Sequence, residues 1–89
     1  MKYPGLINDA RAEIDALDEI QRALLCCVYE TSERDILARL LADDTEEAID
    51  GDLVSRDKRG REAVAQVIEV HLQIHIDTIE GNYWEGVTP

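Results

Sequence analysis

His71 and His75 stand four residues apart. On a helix, adjacent turns would carry both imidazoles to one side, where they could share a metal ion or respond together to pH. On a strand they would be about 13 Å apart and could not share an ion. Zinc needs at least three protein ligands, and neither the adjacent pair Cys26 and Cys27 nor Asp77 completes a set at a recognised spacing. No metal and no cofactor are therefore expected, and the two histidines should lie on the apolar side of their segment, hydrogen-bonded to carboxylates or backbone. The cysteines suit neither a disulfide framework nor a Cys-x-x-Cys site; on a helix they diverge by about 100°, so that one packs inward and the other stays near the surface.

Acyl, phosphoryl and metal-dependent chemistry lack their usual frames. There is no glycine-rich phosphate loop, no Gly-x-Ser-x-Gly elbow and no His-Glu-x-x-His, and the only serines, Ser32 and Ser55, fall at boundary-like positions. Twenty carboxylates are too many for an acid/base pair to be singled out without geometry. No catalytic residue is assigned, and a protein that is not an enzyme is expected.

Six carboxylates fall between positions 43 and 52, namely Asp43, Asp44, Glu46, Glu47, Asp50 and Asp52, with no Lys or Arg among them. The whole chain holds 20 acidic against 9 basic residues, a net charge of -11 on 89 residues. Such a surplus opposes compaction and argues against a direct grip on bare nucleic acid, which needs Lys and Arg to displace counterions. The partner it suits is a protein with a basic surface. Carboxylates three and four apart on a helix are spaced by about 5–6 Å, the scale of one or two steps along a DNA strand. A folded anionic face can therefore occupy a nucleic-acid channel in another protein, a strategy of small inhibitors carried by phages and mobile elements; the likeness is one of size and charge alone. A bland alternative is a solvated helix start, where Glu46 and Glu47 complement the helix dipole.

Arg56, Lys58, Arg59 and Arg61 form a basic loop, after which no Lys or Arg occurs. Preceded by helices, this loop resembles the wing of a winged-helix layout, which would make the chain a small DNA-binding regulator. The acidic segment would then sit where a recognition helix meets phosphates, so the charge argues against it. A third reading is an adaptor or subunit whose acidity serves solubility.

The elements that would position these residues follow from periodicity. Ala10, Ile14, Leu17, Leu24 and Val28 predict a first helix over 6–29, capped by Asn8 or Asp9. Ser32 and Asp35 approximate a capping box for a second helix bearing Ile36, Leu37, Leu40 and Leu41. Thr45 opens a third, with Ala48, Ile49 and Leu53 inward. In 62–80, Ile68, Val70, Leu72, Ile74 and Ile76 alternate like a strand, but Glu62, Gln66, Glu69, Gln73, Asp77 and Glu80 form one polar helical stripe. The helix explains more, with Gly81-Asn82 as its stop and 81–89, like 1–5, irregular.

The expected fold is an all-α single domain over 1–89, three shorter helices packed on a long C-terminal helix; the alternative is an α+β fold with a C-terminal hairpin. Such a helix carries more apolar surface than three short helices cover, so a symmetric homodimer is expected, with Leu72, Ile76 and Ile79 in or beside the interface. Phe is absent and the core must be aliphatic. The start lacks the marks of a signal peptide and no apolar run nears the ~18 residues of a membrane span, so a cytoplasmic protein without a membrane partner is expected.

Overall fold

The stretch expected as one helix from Leu6 to Tyr29 is two. The Asp18 carboxylate accepts the backbone N–H of Gln21 at 2.8 Å while the Gln21 side chain accepts that of Asp18 at 3.2 Å. This reciprocal capping box satisfies two donors that a helix start leaves orphaned, and Leu17, in extended conformation, closes the preceding helix. The computed structural model describes residues 3–54 and 57–87, with side chains as far as Ile74. Its elements are α1 (Leu6–Ala16), α2 (Glu19–Tyr29), α3 (Arg34–Asp50) and α4 (Arg61–Val87). The chain is thus an all-α four-helix bundle, and among the described residues there is no strand. That excludes the α+β alternative with its hairpin.

The helices expected to end near Leu41 and to begin at Thr45 are one continuous α3. Thr45 is not a cap: it is fully buried, and its hydroxyl donates to the Leu41 carbonyl at 2.8 Å, satisfying itself within its own helix. The other expected caps also move. Gly5 precedes α1, leaving Asn8 and Asp9 inside its first turns. Glu33 precedes α3 without a side-chain cap, and it is Thr31, not Ser32, whose hydroxyl accepts the Glu33 N–H at 3.3 Å.

The core is aliphatic. Leu6, Ala10 and Ile14 of α1 face Leu37, Ala38, Leu41 and Ala42 of α3, with Leu25 of α2 and Ala63, Val64, Val67 and Ile68 of α4 completing the cluster. Alanines at Ala10, Ala38, Ala42 and Ala63 are fully buried and allow close approach of the helix backbones. In α4, Ile68 is buried whereas Val70 and Ile74 are half or more exposed, so the apparent alternation does not correspond to one face. The helix runs on through Gly81 and Asn82, the expected stop, to Val87. An interior glycine costs only about 1 kcal/mol relative to Ala, which need not end a helix. Among the described residues, no helix is long and apolar enough to cross a membrane.

Three turns use left-handed backbone, at Glu30, Asp52 and Gly60. Gly60, at φ +53°, leads into α4, and a Cβ there would meet the Asp9 carboxylate at 3.1 Å. Glu30 adopts φ 54° at the end of α2, where its N–H and that of Thr31 close the helix on the Cys26 and Cys27 carbonyls. A side chain in this conformation costs roughly 1–2 kcal/mol, part of which glycine gives back as lost chain entropy. Glu30→Gly is therefore expected to stabilise the bundle by about 0.5–1 kcal/mol, raising Tm by a few degrees. An unchanged or lower Tm would contradict the geometry of this turn.

Candidate functional site

The acidic segment does not open a helix; it closes one. Glu46, Glu47 and Asp50 lie in the last turns of α3, which carry no basic residue. There the helix dipole presents its negative end, so carboxylates are opposed by the dipole as well as by one another. The favourable N-terminal placement expected for Glu46 and Glu47 is therefore absent.

Five of the six carboxylates lie in α3, and they part company there. At 100° per residue, Ile36, Leu40, Asp43, Glu47 and Asp50 fall in one sector about 80° wide, and all five are exposed. The outward face of α3 is thus apolar in its first half and anionic in its second. Among the described residues no Lys or Arg pairs with Asp43 or Glu47. Glu46 is half-buried, about 40° beyond the Asp50 edge of that sector. Asp50 accepts the Tyr3 hydroxyl at 3.1 Å, and Asp52 sits in the left-handed region just past the helix; both line a hollow with Asp9 and Arg59.

Asp44 turns inward and joins three helices. Its Oδ2 accepts the Tyr29 hydroxyl at 2.6 Å and lies 3.3 Å from Nε2 of His71, while the Tyr29 and His71 rings meet edge to face at 5.4 Å. His71 thus has the carboxylate partner expected of it; the side chain of His75 lies outside the described residues. Burial first, and the Asp44 carboxylate second, push the Tyr29 phenol well above its ordinary value. The stability linked to a raised phenol is fully present below the unfolded value of about 10 and is lost as pH rises towards the folded one. Absorbance titration is therefore expected to show a tyrosine that resists ionisation until the chain unfolds, and Tyr29→Phe should abolish that late step. Ordinary midpoints for every tyrosine would refute the Tyr29–Asp44 bond.

The basic loop is largely engaged at home. Arg61 Nε is 2.8 Å from Glu13 Oε1, and Arg59, which faces Asp50 and Asp52 across their hollow, donates to the Lys58 carbonyl at 3.0 Å. Arg56 lies outside the described residues. Elsewhere Arg34 grips Asp15 with two hydrogen bonds of 2.8 and 2.5 Å, which hold the Asp15 carboxyl below its usual range, and Arg11 pairs with Asp35 at 3.3 Å. Arg11, Arg34 and Arg61 thus pair with carboxylates of the first half of the chain, while Asp43 and Glu47 on the outward face of α3 have no Lys or Arg partner among the described residues.

Beside that face lies a groove between α3 and α4 of about 630 Å³. Ala48, Val54 and Val67 form its floor, Leu53 and Val70 its exposed walls, and Asp44 and Glu47 its acidic rim. Leu53, at 79% exposure, was expected to face inward; it follows the left-handed turn at Asp52, which ends α3 and swings it out. Nothing in the segment 43–54 singles it out beforehand, but Val67, Val70 and Ile74, at steps of three and four, are a helical stripe visible in the sequence. Leu72 packs half-buried against the chain's own core, and the side chains of Ile76 and Ile79 lie outside the described residues. Cys26 packs on the core while Cys27 is exposed, as their angular offset predicts. Among the described residues, no group of three or more His, Cys, Asp or Glu could hold a metal ion. Comparison with family models, curated proteins and solved structures returns no match.

Proposed function

We propose that this chain is a non-enzymatic, acidic protein-binding module that inhibits or regulates a basic nucleic-acid-handling protein. Asp43, Glu47 and Asp50 on the outward face of α3 would occupy the surface where that partner holds nucleic acid. The observation that carries this reading is the position of the carboxylates at the negative end of α3. Glu47 and Asp50, in the last turn, each cost about 0.3–1 kcal/mol against the dipole, and the repulsion between neighbours three or four apart, Asp43 with Glu47 and Glu47 with Asp50, adds a few tenths more. Charges serving only solubility could stand anywhere on the surface without that cost, and departures from local rules tend to mark functional positions. Complementary charge would chiefly raise the association rate and select the partner.

Direct DNA binding through the basic loop has less support, because Arg61 is committed to Glu13 and the hairpin a wing requires is missing among the described residues. The test is capture from nuclease-treated cell extract on the immobilised chain and on its Asp43→Lys/Glu47→Lys variant, at low and moderate salt. A basic protein retained by the parent chain and released from the variant is expected. Equal retention on both would remove the acidic face from the account.

A further inference from the structure

We infer that the groove between α3 and α4 receives an amphipathic, basic helix of the partner protein, an inference that rests on the protein-binding reading above and specifies its partner. Val67 and Val70 of α4 line the groove, and Ile74, one turn beyond Val70, continues the same stripe of α4, the three spanning about 10 Å or two helical turns. Val70 and Ile74 are 50% and 58% exposed, and Leu53, 79% exposed, stands across from Val70. Exposed apolar side chains in a contiguous groove mark an interaction site more often than scattered ones. An incoming helix with apolar residues at i, i+3, i+4 and i+7 matches this length and spacing.

Two further observations choose the occupant. Every element of the bundle is helical, so its backbone hydrogen bonds are made internally and no strand edge among the described residues is open to an extended peptide. The rim contributed by α3 is the exposed Glu47, with Asp44, bonded to Tyr29 and His71, beside it, and among the described residues no Lys or Arg lines the groove. Lys or Arg flanking the apolar stripe of the incoming helix would meet those carboxylates, whereas a second copy of this chain, with its net charge of -11, would bring repulsion.

The probes are three labelled 14-residue peptides of Leu and Lys: an amphipathic isomer with Leu at helical spacing, a scrambled isomer of the same composition, and the amphipathic isomer with Glu in place of Lys. Anisotropy titrations on the full chain should give binding of the first at least ten-fold tighter than the second, and none of the third. Leu53→Asp and Val70→Asp, both at exposed positions, should each weaken the first at least ten-fold with unchanged circular dichroism. If both Lys peptides bind alike and neither variant matters, the groove is overturned while the acidic face survives. If no Lys peptide binds, both readings fall. Sedimentation showing a dimer of the free chain that Val70→Asp dissociates would overturn the partner helix in favour of a second copy.

Discussion

The Asp43→Lys/Glu47→Lys variant is expected to be at least as stable as the parent chain and yet to associate with its basic partner ten-fold or more slowly at low salt. Both halves of this result follow from one placement. Lys at position 47, in the last turn of α3, complements the helix dipole where the native carboxylate opposes it, at about 0.3–1 kcal/mol, while position 43, two turns from the end, feels the dipole little. Neither carboxylate has a cationic partner among the described residues, so no ion pair is lost. Association is another matter, since complementary fields raise on-rates by about 10 to 10³ and fade with ionic strength. Thermal unfolding and stopped-flow association on the same preparation check the pair of outcomes. A stabilised variant with an undiminished on-rate would mean that the α3 face takes no part in binding.

Leu41→Ala should be the most damaging simple truncation in α3. Leu41 is fully buried among α1 and α4 side chains, and shortening such a residue costs about 2–5 kcal/mol, the loss growing with the cavity left behind. For a chain of this size that can be half of the total stability, and Tm should fall by about 10 °C or more. Its neighbour Leu40 is 37% exposed, so Leu40→Ala should cost about 1 kcal/mol or less. The contrast between adjacent leucines reports the rotational setting of α3, which decides that Asp43 and Glu47 point outward while Asp44 points in. Equal losses at the two positions would mean that α3 is turned differently about its axis.

The helical class was readable because the polar stripe from Glu62 to Gln73 keeps a helical period that no strand can keep. Helix boundaries were not, since the spacing of Ala10, Ile14, Leu17 and Leu24 is the same for one long helix and for two that meet at an angle. The decisive signal was present at Asp18 and Gln21, three apart as a capping box requires. Thr45 misled for the opposite reason: a hydroxyl ahead of two glutamates reads as a helix start, but burial lets it bond the preceding turn instead. That single reversal changes the meaning of the acidic cluster, from carboxylates that suit a helix start to carboxylates that strain a helix end. The partners of Asp44 were out of reach, because Tyr29 and His71 are 15 and 27 residues away and only tertiary packing joins them.

The outward face of α3 is proposed to take the place of nucleic acid on its partner. Competition tests it most directly: with the captured partner held at fixed concentration, the apparent affinity of the chain is measured against rising duplex oligonucleotide at constant ionic strength. Mutually exclusive binding is predicted, with the apparent Kd of the chain rising in proportion to the oligonucleotide and no complex holding all three components. A stable ternary complex, with the affinity of the chain unchanged at saturating duplex, would contradict it.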